Sequence, residues 1–309
     1  MVINRGNFGK ALWPGVNKWY GEAYSEYPEE YLDLFTKNTD DRAFVEDVGV
    51  TGFGLASAMS EGAAVTYDSM NQGFVTRYTH VKYGTGFIIT SEMIDDDQYM
   101  LIAQKRAKAL AFSMRQTKET LGANVYNRAF NTSFTGGDAA TLVASAGGGG
   151  SATHPNVTGG TWTNGPSAAV DLSEAAIEQA CIDIGKYTND RGLKISVIAQ
   201  KLIIPIDLTF EASRILDTPL QAFSADNTIN VLKKMGKLPG GVVVNHYLTD
   251  TDAWFIMTNT PDGMKYFERK ADSFGEDNDF DTDNLKYKAT ARYSFGWTDP
   301  RGLWGSPGI

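Results

Sequence analysis

DDDQYMLIAQKRAKALAFSMRQTKETLGANVYNRAF, residues 95–130, is the longest periodic stretch in the chain. Tyr99, Ala103, Ala107, Leu110, Met114, Leu121, Val125 and Ala129 recur at three- and four-residue spacings or their multiples, which places them on one face of a helix. Asp95, Asp96 and Asp97 open it, where carboxylates meet the positive end of the helix dipole. Uninterrupted, the helix would run about 54 Å at about 1.5 Å per residue, long enough to serve as a structural spine. Gly122 is read as the place where it ends or bends. Lys105, Arg106, Lys108, Arg115 and Lys118 fall mostly off the stripe and read first as a solvated face, with contact to DNA or a neighbouring subunit as the functional alternative.

On the N-terminal side of this helix the pattern changes twice. Asp40 to Tyr83 is rich in Gly, Thr and Val and predicts long strands joined by glycines. Phe74, Thr76, Tyr78 and His80 alternate with Val75, Arg77, Thr79 and Val81, and both sets are partly apolar, as in a ribbon that touches something on each side. A two-stranded ribbon alone is marginal in water, so a projecting one must find its missing burial on another chain. Before it, YPEEYLDLFTK (residues 27–37) predicts a short helix with Pro28 in its first turn. The first 25 or so residues have no clear period and predict an extended arm.

On the C-terminal side, residues 131–170 are dominated by Gly, Thr, Ser and Ala and predict a flexible or tightly turned connection. DLSEAAIEQACIDIGKYTNDRG is a helix capped at Asp171 or Ser173 and stopped by Asn189 to Gly192. LKISVIAQKLIIP is a buried strand ending at Pro205, which has no N–H to continue a ladder. IDLTFEASRIL returns to helical spacing, GGVVVNHYL and AWFIMTN read as strands, and Leu285 to Phe295 alternates again. The predicted class is α+β without repeats.

Composition narrows function. Hydrophobic residues make up 42% of 309, ample for a sizeable core, and 37 acidic against 28 basic residues give a net charge of −9 that disfavours a dedicated DNA binder. There is no apolar run of signal-peptide or membrane-spanning length, so a cytoplasmic product is expected. The single cysteine, Cys181, rules out an intramolecular disulfide and reads as a small core residue. His80, His154 and His246 sit in no catalytic motif and read as structural, and G-x-S-x-G, H-E-x-x-H, C-x-x-C and the phosphate-loop pattern are absent. The best metal candidate is EDNDFDTDN, Glu276 to Asn284, where Asp277, Asp279, Asp281 and Asp283 alternate. It lacks the glycine at position six and the glutamate at position twelve of a calcium loop, Lys288 standing at the latter, so no metal, cofactor or catalytic residue is assigned.

The order of arm, ribbon, spine helix, α/β region and returning strand is similar to the Hong Kong 97-like capsid fold. GTGFIITSEMIDDD resembles the join between extended loop and spine helix in tailed-bacteriophage major capsid proteins. THPNVTGGTWTN with the helix and strand after it, and YLTDTDAWFIMTN, KYFERKAD and KYKATARYSFGWTDPRGLWGS, resemble the Mu-type head subunit family over residues 87–306. The resemblance implies an N-terminal arm and short helix (1–39), an extended β-ribbon loop (40–92), a peripheral domain with spine helix and Gly-rich connection (93–170), an axial domain (171–262) and a return to the peripheral domain (263–309). It implies a non-enzymatic shell subunit in the virion, made in the host cytoplasm, that assembles with itself into hexamers and pentamers. Scaffolding, portal and cement proteins would be its other partners, and double-stranded DNA would be enclosed without tight binding and without any membrane. Trp13, Trp19, Tyr20, Phe53, Trp297 and Trp304, with Arg77 on the ribbon, are candidate intersubunit contacts, although each aromatic could equally complete the subunit's own core. An encapsulin-like nanocompartment protein of the same fold and an unrelated soluble enzyme are the alternatives.

One branch of this fold stitches its shell with lysine–asparagine isopeptide bonds, which need a lysine amine near the loop tip. Between Lys37 and Lys82 there is no lysine, and Arg42 and Arg77 stay protonated and cannot act as amine nucleophiles. No asparagine follows Asn284 to serve as acceptor in the returning segment. Mature particles boiled in reductant should therefore run as a single band near 33.7 kDa on a denaturing gel; a covalent ladder would contradict this.

Overall fold

The computed structural model describes residues 18–26, 28–95, 99–220, 229–279 and 284–309. Residues 18–25 form helix α1. Then come α2 (Tyr31–Leu34), β1 (Thr36–Thr39), β2 (Phe44–Val50), β3 (Gln72–Thr79), β4 (Val81–Ile89), α3 (Ser91–Asp95) and α4 (Tyr99–Asn127). The second half contains β5 (His154–Pro155), β6 (Thr161–Trp162), α5 (Glu174–Gly185), β7 (Ala199–Ile204), α6 (Thr209–Asp217) and α7 (Val231–Met235). It closes with β8 (Val242–Val244), β9 (Trp254–Thr258), β10 (Met264–Asn278), β11 (Leu285–Trp297) and β12 (Leu303–Ser306).

Two four-stranded sheets carry the body. The first has the order β1-β10-β11-β4, built on a long antiparallel β10–β11 hairpin with β4 antiparallel to β11 and β1 parallel to β10. The second has the order β12-β9-β7-β8, with β7 and β8 parallel and the other neighbours antiparallel. Leu303–Ser306 thus pairs in the second sheet, whereas the expected division assigns all of 263–309 to the region of the first. The helix expected over residues 27–37 is only the single turn α2. Thr36 to Thr39 instead pair with Lys265 to Glu268, because ladder hydrogen bonds outweigh a weak local helical preference. Residues 18–25 are also not an extended arm: Tyr20 and Ala23 are buried, and Tyr20 stacks on Phe274 at 4.8 Å.

Helix α4 is the spine that the periodicity predicts, and it touches both sheets. Ala107, Leu110 and Met114 are buried, and toward its end Tyr126 meets Phe255 of β9 edge-on at 5.4 Å. Gly122 neither ends nor interrupts it. A Cβ there would lie 3.3 Å from the Tyr31 side chain, so the glycine's role is to let α2 pack close. The solvated-face reading holds for Lys105, Arg106 and Lys108, which are exposed, and fails for Arg115 and Lys118, which are buried. Arg115 reaches Glu29 at 2.5 Å and lies 3.6 Å from Glu119. Lys118 pairs with Asp272 at 2.7 Å among the rings of Tyr24, Tyr31 and Tyr293. These charges stay inside because α1, the turn before α2 and β10 supply their partners, and a buried charge without a partner would be strongly destabilising.

The Gly-rich connection is tightly turned and well packed. Leu142, Val143, Ala144, His154 and Asn164 are all buried. Asn164 is its staple: the amide nitrogen faces the carbonyls of Leu142, Pro300 and Leu303 at 2.8, 3.1 and 3.0 Å, and its oxygen accepts from the Ala144 N–H at 2.8 Å. Glycine is required at 165, where a Cβ would sit 2.7 Å from the Gly305 carbonyl oxygen. The connection therefore fastens the closing strand β12 to the end of the spine.

Glu119 is buried and accepts the backbone N–H groups of Glu30 and Tyr31 at 3.1 and 2.8 Å. Burial pushes its carboxyl up from 4.5 to about 7, against the pull of those N–H groups and Arg115. The folded chain holds this proton more tightly than the unfolded one. The resulting stabilisation is complete below the unfolded value of 4.5 and is lost as the pH rises through about 7. Urea unfolding of dissociated subunit should show a loss from this site of up to ~3 kcal/mol between pH 5 and pH 8. Glu119→Gln should remove that part of the slope, and an unchanged slope would contradict the assignment.

Candidate assembly interface

Strands β2 and β3 form an antiparallel ribbon whose root is fixed to the first sheet. Val45 and Tyr78 face each other across it and pack with Phe267 of β10 in a small buried cluster. The Tyr78 ring lies against Gly296, where a Cβ would come within 2.8 Å of it. Asp47 accepts from Lys265 at 2.5 Å and from the Thr298 hydroxyl at 2.9 Å, and the hydroxyls of Tyr78 and Thr298 lie 2.7 Å apart. The burial expected of the alternating residues is thus one-sided. Thr76, Tyr78 and His80 turn toward the body, while Val75, Arg77, Thr79 and Val81 stay exposed, as does Phe74 at the outer end of the first set.

Beyond the root the apolar residues lose their cover. Thr51 and Asn71 close a neck through backbone and hydroxyl hydrogen bonds of 2.8–3.2 Å. Between them the chain makes no regular strand, and it exposes Phe53, Leu55, Met59, Val65, Tyr67 and Met70, with Tyr67 94% exposed. Six large apolar side chains in one segment exceed the scattered exposure ordinary surfaces carry. Arg191 holds this segment near the body by donating to Asp68 at 2.8 Å and to the Ser69 carbonyl, and Asp68 also accepts the Gly54 N–H at 2.8 Å within the segment.

Of the sequence-predicted contact residues, Phe53 and Arg77 lie exposed on this ribbon, and Arg77 stands over the Phe44 ring at 3.8 Å. Tyr20 and Trp304 are inside the subunit, Trp304 against Trp254 at 5.0 Å, and have no surface to offer a neighbour. Trp19 and Trp297 are half-buried against the core clusters. Trp13 lies outside the described residues. Choosing by aromatic identity therefore selects core residues along with surface ones. It passes over the exposed Leu55, Met59, Val65 and Met70, apolar residues without helical or strand period in a stretch rich in Gly, Ala and Ser.

The polar groups are engaged in structure. His154 contacts Asp138 at 2.6 Å through Nδ1 and the Asn164 oxygen at 3.1 Å through Nε2, and it stacks on Trp162. His80 meets the Ser294 hydroxyl at 3.0 Å, and burial lowers its pKa. His246 contacts Glu30 at 2.6 Å. Cys181 is half-buried, and burial raises its thiol pKa away from thiolate reactivity. In the acidic stretch Asp279 pairs with Lys286 at 2.6 Å, while Asp281 and Asp283 lie outside the described residues. Among the described residues no His, Cys, Asp and Glu group could hold a metal, and no helix is long and apolar enough to cross a membrane.

A family model described as phage capsid protein matches residues 73–305, and the chain belongs to that family. The virus-like particle from Pyrococcus furiosus superposes with a TM-score of 0.51 at 11% identity, covering 94% of this chain and 97% of that one. The capsid of Myoviridae phage XM1 gives 0.51 at 9% identity, covering 92% and 94%. The capsid of the native GTA particle gives 0.51 at 13% identity, covering 90% and 89%. At such identities the likeness establishes the fold, which is that of the Hong Kong 97-like capsids. No curated protein sequence matches the chain.

Proposed function

We propose that this phage capsid protein is the major head subunit of a tailed phage, a structural chain that assembles with copies of itself into an icosahedral shell. The observation that carries the reading is the 51–71 segment, apolar, exposed and held out on a ribbon whose root is rigidly anchored. A subunit working alone gains nothing from such a surface, whereas one that reaches across a neighbour buries it. In this reading β2–β3 with its tip is the extended loop, and α4 with the β1-β10-β11-β4 sheet is the peripheral domain. The second sheet with α5, α6 and α7 is the axial domain.

The net charge of −9 suits a container that encloses double-stranded DNA without binding it tightly. Hexamers and pentamers of the chain, with scaffolding, portal and cement proteins, complete the partner set, and no catalysis is assigned. The fold shared with the virus-like particle from Pyrococcus furiosus leaves an encapsulin-like compartment as the second reading. Copurification of particles with packaged phage DNA, as opposed to a protein cargo, separates the two.

The test replaces residues 52–70 by two glycines, closing the ribbon at the Thr51–Asn71 neck. The folded body should keep its thermal midpoint, because those residues contribute nothing to any of the buried apolar clusters. The yield of closed particles by electron microscopy should fall at least tenfold, roughly the effect of 1.4 kcal/mol per contact. Particles of normal size and yield would overturn the role given to the ribbon.

A further inference from the structure

Strand β4 is one edge of the first sheet, and its nine residues make it long beside the four-residue edge β1 on the other side. Beyond its ladder with β11 it has one hydrogen bond among the described residues, from Arg106 Nη1 to the Ile88 carbonyl at 2.8 Å. Val81, Lys82, Gly84, Thr85, Gly86 and Ile88 are exposed. A long edge without cover is a template for one more strand.

The two faces of this edge differ. Phe87 packs toward α4, and since side chains alternate, Lys82 lies on the opposite face. There the register sets it beside Arg292 of β11 and Lys270 of β10 in a single cross-strand row about 10 Å wide, where like charges repel. Lys82 and Lys270 are exposed without a carboxylate partner among the described residues, and Arg292 donates its Nε to the His80 carbonyl at 3.1 Å. Lys288, farther along β11 on the same face, is also exposed and unpaired. The acids of this region stand elsewhere: Asp40 and Asp41 hold Arg42 and Arg269, while Glu92, Asp277 and Asp279 stand at the Ile88 end with Lys286. On the other face Tyr83 borders a pocket of about 300 Å³ lined also by Leu121, Val125, Phe134 and Trp297, with Arg128 in its wall.

We propose that β4 accepts an extended segment of another protein as the fifth strand of this sheet, and that the segment alternates acidic with apolar residues. Main-chain pairing supplies affinity and alternate side chains supply specificity. Carboxylates on one face of the segment neutralise the Lys82 row, and apolar side chains on the other meet Tyr83 and its pocket. Nucleic acid has no backbone ladder to offer an edge strand. The β4 edge of a second copy would bring a second cationic row alongside the first. The chain's own acidic run is held in its own hairpin, with Asp277 opposite Lys286 and Asp279 on that ammonium at 2.6 Å. The inference goes beyond the shell reading and does not depend on it, because the free subunit carries the whole edge.

Fluorescence anisotropy with the full chain, held as dissociated subunits, tests it. The probe is a labelled peptide of alternating valine and glutamate as long as β4, which should bind saturably. A peptide with the same side chains, N-methylated on the backbone so that it cannot pair, should bind at least roughly tenfold more weakly. Lys82→Glu replaces an exposed side chain, so the subunit should keep its thermal midpoint and lose affinity for the unmodified peptide by roughly tenfold. Absence of saturable binding, equal binding of the N-methylated peptide, or full affinity in Lys82→Glu overturns the proposal. A short DNA duplex bound more tightly than the peptide assigns the cationic row to nucleic acid and overturns it as well. So does subunit self-association that Lys82→Glu abolishes, which assigns the edge to a second copy.

Discussion

Helix α4 must pack against two sheets at once, and the rest of the body is arranged to let it. Its first half lies on β4 and β11, and its last turns reach Phe255 in the second sheet, while Lys105, Arg106, Lys108, Phe112, Gln116 and Thr120 keep one face in water. Arg115, Lys118 and Glu119 fall on the packed side of the helix and are buried there. Desolvating three charges is unfavourable unless each finds a close opposite charge or several hydrogen bonds. Glu29 on the approach to α2, Asp272 in β10 and the N–H groups of Glu30 and Tyr31 meet that need. The segment before the ribbon is thereby fixed to the spine, and the ribbon has a rigid base.

The same chain is complete in one region and incomplete in another. At the root, Asp47, Lys265, Thr298 and Tyr78 form a connected set of hydrogen bonds over a small apolar cluster. Past the Thr51–Asn71 neck there is neither a ladder nor cover for the apolar side chains. Burying a side chain of that kind is worth about 1.5–3 kcal/mol, so six of them constitute a driving force for association comparable to the stability of a domain. Concentrating that force on a projecting segment lets a subunit fold first and associate later. Arg191 tethers the segment through Asp68 and the Ser69 carbonyl, and an exposed ion pair of this kind contributes only about 0–1 kcal/mol.

Much of this was legible before any coordinates. The stripe from Ala103 to Ala129, the Ser173 cap of α5 and the Ile-rich strand ending at Pro205 are local patterns, and local patterns survive folding. What the sequence hid was long-range. Thr36 to Thr39 became a strand only because β10 offered a parallel partner far along the chain. Arg115 and Lys118 looked solvated because their partners lie in α1, β10 and the turn before α2. The candidate contacts failed where aromatic rings served the core, as with Tyr20 and Trp304. They left out the exposed aliphatic residues of the tip, whose exposure follows from the absence of any neighbouring element and not from residue type.

The central claim is that the body is finished within one subunit and the 51–71 segment is finished by another. Amide hydrogen exchange, compared between dissociated subunits and assembled particles, measures this directly. The account predicts that α4, β7, β9 and β11 are protected in both states, and that residues 51–71 exchange within seconds in the subunit and slow by roughly a hundredfold or more in the particle. Equal exchange of that segment in both states, or protection already present in the free subunit, would contradict it.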